Sequence, residues 1–187
     1  MYKRVLITIV VLVVLCVVTV ACVLAEKSEP AQAANNNSKP LAIRNMVHIA
    51  VIVRDVEKSA KAWADLFGME VPKWSLSDPL EKAHTLYRGK PTEARLKTAF
   101  LKLDNLRVEI MEPVGGPSTW MEFLETKGEG VHHVAFDIKG MDEQIANIEK
   151  KGMPLIQRGE WTAYTGGAYA YFDSPQLGVI LELLENY

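Results

Sequence analysis

Residues 47–51 (VHIAV) and 132–136 (HHVAF) are two similar apolar runs, with His48 in the first and His133 at the matching place of the second. Each run is followed downstream by another apolar run that contains a glutamate, Glu109 in the first case and Glu182 in the second. Self-similarity of this kind indicates a structural unit that occurs more than once. We therefore predict one small unit used twice, with each copy contributing one His and one Glu to a shared centre.

The order of secondary structure also repeats. In the first copy, Asp55 is a suitable N-cap and Gly68 a suitable stop for an amphipathic helix that follows the first strand. Each copy is predicted to be a βαβββ module, and pairing the two into one concave mixed sheet covers faces that neither could bury alone. The fold class is therefore α+β. The predicted strands are 47–53, 97–103, 106–111, 131–138, 154–157, 168–172 and 179–184, with a further strand around 84–87, and the helices are 56–67, 141–150 and a short connecting helix in 117–124.

The N-terminal 25 residues have the composition of an export signal or membrane anchor. Residues 5–24 are apolar and uncharged and follow Lys3 and Arg4. Cleavage, lipidation at Cys22 and retention as an anchor all stay open, and each places the folded part outside the cytoplasm, in the periplasm or an equivalent compartment. Membrane contact is expected only through this segment.

The remaining chain divides by composition. Residues 26–42 are predicted to be a flexible tether, and 43–187 the folded domain, with module 1 at 43–113, a linker at 114–129 and module 2 at 130–187. The sequence leaves open whether the modules pair within one chain or across a homodimer.

Composition excludes several classes of function. The formal net charge of −2 gives no basic excess for a nucleic acid partner. Both cysteines, Cys16 and Cys22, lie in the N-terminal segment, so the folded domain has no thiol for a disulfide, a metal site or nucleophilic catalysis.

The repeated His and Glu pair indicates a metal site. A carboxylate inside an apolar strand is costly unless it is paired or bound to a cation. A single histidine in a strand is more often a hydrogen-bonded core residue, but duplication of the pair favours one divalent ion held by His48, Glu109, His133 and Glu182. Without sulfur, the expected ion is Ni, Co, Zn, Mn or Fe, with up to two open positions. Strand alternation predicts that His132 faces away from His133.

The paired modules resemble the vicinal oxygen chelate superfamily, which includes glyoxalase I, methylmalonyl-CoA epimerase, extradiol dioxygenases, and fosfomycin and bleomycin resistance proteins. The similarity extends over residues 43–186 and is strongest to the epimerase and glyoxalase branch in 107–113 (RVEIMEP) and 123–136 (FLETKGEGVHHVAF). The resemblance implies that the metal ligands are His48, Glu109, His133 and Glu182.

This branch implies an isomerase, epimerase or lyase that transfers a proton next to a carbonyl through a metal-chelated enediolate, on a small-molecule substrate with vicinal oxygens. Glu182 would be both ligand and base. Glu93 lies where the second Glu of the epimerases is expected, and a solvated loop residue is the open alternative for it. Residues 173–178 (DSPQLG) depart from the epimerases' His-Pro-Lys-Ser type turn, so the substrate stays open. The alternatives are an exported, resistance-type binding protein and an Fe(II) dioxygenase, against which a fourth ligand argues.

Overall fold

The computed structural model describes residues 40–41, 43 and 45–187. The predicted signal or anchor (1–25), and all of the predicted tether (26–42) except residues 40 and 41, lie outside the described residues. Within the described part of the chain, no helix is long and apolar enough to cross a membrane.

The described residues form ten strands and four α-helices. The strands are β1 (Met46–Ile52), β2 (Ser75–Leu76), β3 (Leu86–Tyr87), β4 (Lys90–Pro91), β5 (Arg95–Lys102), β6 (Arg107–Val114), β7 (Gly130–Asp137), β8 (Leu155–Trp161), β9 (Gly167–Phe172) and β10 (Ile180–Asn186). The helices are α1 (Val56–Phe67), α2 (Leu80–Ala83), α3 (Thr119–Thr126) and α4 (Met141–Glu149), and a 3₁₀ turn spans Pro175–Leu177.

All ten strands form one mixed sheet in the order β2-β5-β6-β1-β7-β10-β9-β8-β3-β4. The two modules meet at its centre, where β1 and β7 pair antiparallel within the single chain. On either side of this junction the first and last strands of each module pair parallel, β1 with β6 and β7 with β10. The predicted mixed sheet is thus confirmed, and its curvature makes a half-barrel.

Helices α1 and α4 cover the outer face of the sheet, one for each module. Asp55 Oδ1 accepts a hydrogen bond from the backbone N–H of Lys58, and Gly68 ends α1 with φ 64°, as the sequence predicts. The face of α1 that carries Val56 and Ala60 packs on β5 and β6. In the same way α4 packs on β9 and β10. Each module therefore buries its outer face under its own helix.

The inner face of the sheet is covered in part by α3. Ser118 begins this helix by accepting a hydrogen bond from the Met121 backbone N–H, within the region where the sequence predicts a short connecting helix. Trp120 and Leu124 pack against Ala50 and Ile52 of β1 and against Tyr171 of β9. Because side chains alternate along β1, His48 lies on this same inner face.

Several elements differ from prediction: β2, β4 and α2 were not predicted, and two predicted strands differ in extent or in partners. The region around 84–87 forms a two-residue strand, β3, whose hairpin with β4 pairs with β8 of the other module. Strand β8 extends to Trp161 rather than ending at residue 157. Gly159 does not end it, because the ring of Tyr169 occupies the space of the missing side chain, and a Cβ there would lie 2.6 Å from the Tyr169 hydroxyl oxygen.

Candidate metal centre

Four adjacent central strands place one ligand-type side chain each on the inner face. In the strand order β6, β1, β7, β10, these are Glu109, His48, His133 and Glu182. The register of the strands explains why they meet: Ala50 of β1 pairs with Glu109 on one side and with His133 on the other. The structure therefore brings together all four of the predicted metal ligands.

The four ligand atoms are close to one another. His48 Nε2 lies 2.9 Å from Glu109 Oε2, 2.9 Å from Glu182 Oε2 and 3.0 Å from His133 Nε2. His133 Nε2 lies 3.0 Å from Glu182 Oε2 and 3.6 Å from Glu109 Oε2. All ligand atoms are within 4.8 Å of one another.

These distances fit a single divalent ion. Two ligands at right angles on an ion with bonds of ~2.1 Å are ~3.0 Å apart, whereas tetrahedral ligands are ~3.4 Å apart. Four of the observed separations are 2.9–3.0 Å and a fifth is 3.6 Å, so the four side chains could hold one ion of this size. Glu182 Oε2 is buried and both Nε2 atoms lie within 3.0 Å of it, as expected for atoms that face a common point.

The electrostatics of the cluster are those of two imidazoles beside two carboxylates. Burial alone would lower the pKa of His48, but the charge of Glu109 and hydrogen bonds with Glu109 and Glu182 raise it to about 10. Burial raises the pKa of Glu109, but the charge of His48 and the hydrogen bonds of both imidazoles outweigh it and lower that pKa to about 2. Protons on the imidazoles therefore balance the buried carboxylates in the metal-free protein, and a divalent cation can replace them.

The pKa values of Glu182 and His133 shift in the same directions as those of Glu109 and His48, respectively. Burial would raise the pKa of Glu182, but the positive charge of His133 and hydrogen bonds with both histidines hold it well below its usual range. Burial would lower the pKa of His133, but the charge of Glu182 and hydrogen bonds with both glutamates raise it. Both carboxylates are thus ionised at neutral pH.

His132 does not lie where strand alternation places it. In the pairing of β1 with β7, Ala50 is opposite His133 and Val51 is opposite Val131, so His132 is the extra residue of a β-bulge. The bulge interrupts alternation, and the His132 ring is buried beside the His133 ring with their Nδ1 atoms 2.9 Å apart. The prediction that the two rings face opposite sides was wrong. The adjacent His residues after Gly130 are a weak sequence signal for such a bulge.

Glu93, the predicted second acid or base, lies apart from the four-residue cluster in the described structure. Its side chain is exposed in the loop between β4 and β5. The backbone of this loop is nevertheless fixed: Thr92 Oγ1 donates to the Pro117 carbonyl and accepts from the Ala94 N–H. The loop also packs so closely on the turn after β6 that a Cβ at Gly115 would lie 2.5 Å from the Glu93 carbonyl oxygen. The catalytic role of Glu93 stays a prediction.

Aromatic side chains surround the cluster, and sequence patterns did not single them out. The Phe100 ring lies at an edge-on angle to His48 with 6.4 Å between centroids, and Tyr171 is 4.9 Å from His133. A cavity of about 400 Å³ opens beside His132, between the end of α3 and the unusual turn at Asp173 to Gly178. His84, by contrast, is exposed and contacts Glu160.

The sequence profile of the Glyoxalase/Bleomycin resistance protein/Dioxygenase superfamily matches residues 47–172, more than half of the chain. The chain belongs to this superfamily. Its relatives within it include mouse (Mus musculus) mitochondrial methylmalonyl-CoA epimerase, 26% identical over 160 residues that cover 85% of this chain and 82% of the relative. The human (Homo sapiens) enzyme is 25% identical over 84% of this chain and 86% of its own length.

Solved structures of the superfamily share the fold. The methylmalonyl-CoA epimerase of Mycobacterium tuberculosis superposes with a TM-score of 0.57 at 16% identity, over 80% of this chain and 92% of that one. That of Streptomyces coelicolor, solved with 2-nitronate-propionyl-CoA, gives 0.52 at 19% identity over 78% and 99% of the two chains. At these identities the likeness is one of fold.

Proposed function

We propose that the protein is a metal-dependent isomerase, epimerase or lyase that transfers a proton at a carbon next to a carbonyl. The observation that carries this proposal is the His48, Glu109, His133 and Glu182 cluster, whose ligand atoms all lie within 4.8 Å of one another. A six-coordinate ion held by these four side chains would have two further positions. Two further positions suit two neighbouring oxygens of one substrate. Membership of the superfamily and the epimerase relatives support the same class of reaction.

The ion would be held by those four side chains. When bound, a divalent cation supplies positive charge that stabilises the negative charge developing on a carbonyl oxygen as a neighbouring C–H bond breaks. Two carboxylates carry a total charge of −2 and two neutral imidazoles carry none. The four side chains therefore balance the charge of a divalent cation in the buried site. The rings of Phe100 and Tyr171 lie beside the two histidines of the cluster.

Glu182 is the proposed base on one face of the substrate. It is buried and ionised at neutral pH, because the charge of His133 and hydrogen bonds with both histidines overcome the effect of burial and lower its pKa. One of its oxygens faces the ligand cluster, which leaves the other for proton transfer. A carboxylate in this position is within reach of a substrate held at the same centre.

Glu93 is the proposed acid or base on the opposite face. Its loop is fixed to the turn after β6 by Thr92 and by the close approach of Gly115, so the backbone that carries Glu93 has a defined position. The side chain is exposed and is free to turn toward a bound substrate. An epimerase needs this second group, since it must deliver a proton to the face from which none was taken.

For the substrate we propose a small 2-oxo compound or thioester with vicinal oxygens. Relatives named as methylmalonyl-CoA epimerases support the thioester. The turn at Asp173 to Gly178 departs from the epimerase pattern, and the composition of residues 1–25 predicts export, so we infer that the compound is one available outside the cytoplasm. N-terminal sequencing of the mature protein from cell fractions tests the export.

The deciding experiment is solvent deuterium exchange into the α-carbon of 2-methyl thioesters and hemithioacetals, monitored by ¹H NMR with Ni²⁺, Co²⁺, Zn²⁺ or Mn²⁺. We expect exchange only in the metal-loaded protein. Glu182→Ala should abolish both metal retention and exchange. Glu93→Gln should keep exchange into one epimer while losing interconversion of the two, because only one face keeps its base.

Glu81→Gln, a change at an exposed glutamate of α2, is the matched control and should keep both activities. Ligand binding without exchange across the whole panel, in a protein that holds its metal, would reject the enzymatic proposal. That result would favour the alternative, a binding protein of the resistance type. Binding of oxygen with substrate oxidation in the Fe²⁺ form would instead favour the dioxygenase.

A further inference from the structure

His132 is the neighbour of His133, one of the proposed metal ligands. Its ring is buried next to His133, in contact with Thr119 of α3 and with the rings of Phe123 and Tyr171. No carboxylate hydrogen-bonds to it among the described residues. The partners of its two nitrogens are a backbone carbonyl, a hydroxyl and Nδ1 of His133, and a neutral imidazole with a single N–H satisfies all of them.

The hydrogen-bond partners fix which nitrogen of His132 carries the proton. Nε2 lies 3.3 Å from the backbone carbonyl oxygen of Thr119, which can only accept. A bare Nε2 facing that oxygen would place two lone pairs against each other, so Nε2 carries the hydrogen and donates it. In a neutral ring, Nδ1 then carries no hydrogen and can only accept a hydrogen bond. The Thr119 hydroxyl, 3.4 Å from Nε2, can accept as well as donate, so it is compatible with a hydrogen on Nε2.

The same reasoning identifies which nitrogen of His133 carries a hydrogen. Its Nδ1 lies 2.9 Å from Nδ1 of His132, and two bare nitrogens cannot share that distance. His133 Nδ1 therefore carries the hydrogen and donates it to His132. A neutral His133 is then bare at Nε2, the atom that lies 3.0 Å from Glu182 Oε2 and 3.0 Å from His48 Nε2. This is the tautomer that a metal ligand requires.

We propose that His132 is a positioning residue that holds His133 in the metal-binding tautomer and orientation, through a relay that runs from the Thr119 carbonyl through His132 to His133. The proposal rests on the metal site of the proposed function. The proposal specifies which nitrogen of each ring carries a hydrogen. Packing of the two rings alone would not determine this. The bulge in β7 is what places the two rings side by side.

The far end of the relay is itself fixed. The Thr119 backbone N–H donates to Gln157 Oε1 of β8 at 2.8 Å, and Ser118 caps the same end of α3. The carbonyl that accepts from His132 thus belongs to a residue whose own N–H is held by the sheet, in the capped first turn of α3. His48 has no equivalent, since its Nδ1 is buried without a hydrogen-bond partner in the described structure. The two histidine ligands are therefore supported unequally.

Zn²⁺ affinity of the full chain, measured by competition with a chromogenic chelator, tests the relay with a matched set of variants. His132→Phe removes the acceptor and keeps an aromatic ring, and should weaken binding by about 10- to 100-fold. His132→Asn places an amide oxygen the same number of bonds from the backbone as Nδ1, and should stay within about threefold of the parent. His84→Phe, at the exposed histidine, should leave the affinity unchanged.

A second measurement uses the parent protein and therefore does not require any variant to fold. Two-bond ¹H–¹⁵N correlation spectra of the ¹⁵N-histidine-labelled, zinc-loaded protein report each tautomer directly. We expect His132 with hydrogen on Nε2 and His133 with hydrogen on Nδ1. A His132 protonated on Nδ1, or equal affinities for the Phe variant and the parent, would overturn the inference. Failure of the parent protein to bind any divalent ion would instead overturn the proposed function.

Discussion

Metal affinity should rise steeply with pH because His48 must lose a proton to become a ligand. The pKa of His48 is raised to about 10: burial opposes protonation, but the charge of Glu109 and the hydrogen bonds with both glutamates favour it. At pH 7 the ring therefore carries a proton, and a metal ion must displace it. Three pH units correspond to about 4 kcal/mol, at about 1.36 kcal/mol for each unit.

The sign and size of the dependence follow. Below a pKa of about 10, each unit of rising pH removes a tenfold penalty, so the apparent Kd should fall by about 30-fold between pH 7 and pH 8.5. An imidazole with an ordinary pKa of about 6.5 would give a change of only about 1.3-fold over the same range. The raised pKa of His133 adds to the dependence in the same direction.

Competition titrations at pH 7.0, 7.5, 8.0 and 8.5, corrected for protonation of the chelator, measure the slope. Calorimetry in two buffers of different ionisation enthalpy should show release of at least one proton for each ion bound. Glu109→Gln removes the charge that raises the His48 pKa most, and should flatten the slope, whereas His84→Phe should not. A change in Kd below threefold, without proton release, would refute the ion-paired state of the metal-free site.

Three further predictions concern stability. Zn²⁺ or Ni²⁺ at about 100 times its Kd should stabilise the fold by about 2.7 kcal/mol and raise the melting temperature by about 5–10 °C in scanning calorimetry, and Glu182→Ala should abolish that rise. Asp55→Ala removes the cap of α1 and should cost about 0.5–2 kcal/mol in urea unfolding, against little change for Glu125→Ala on the exposed side of α3. Gly167→Ala should cost about 1–3 kcal/mol or prevent folding, because a Cβ there would lie 2.1 Å from the Trp161 ring; a loss below 0.5 kcal/mol would contradict this packing.

Local sequence signals were sufficient for the parts of the fold that depend on local physics. Helix α1 begins and ends where Asp55 and Gly68 predict, since capping is decided by neighbouring residues. The meeting of His48, Glu109, His133 and Glu182 could be predicted because duplication supplied each residue with a second example. Buried carboxylates in apolar strands are also rare enough to stand out.

The features that sequence missed depend on pairing between distant segments. The hairpin of β3 and β4 consists of strands two residues long and gains its place in the sheet by pairing with β8, more than sixty positions away. The bulge at His132 is set by its register against β1, so a rule of strict alternation placed that ring on the wrong face. Strand β8 continues through Gly159 because a ring from β9 fills the gap.

The junction of β1 with β7 has a consequence for how the site is assembled and lost. Each module contributes one imidazole and one carboxylate to the cluster, so neither module alone supplies more than half of the proposed ligands. A bound ion would cross-link the two halves of the sheet, and any fluctuation that separates β1 from β7 would halve the coordination number at once. The rate at which the protein releases its ion would then measure how often its central pair of strands comes apart.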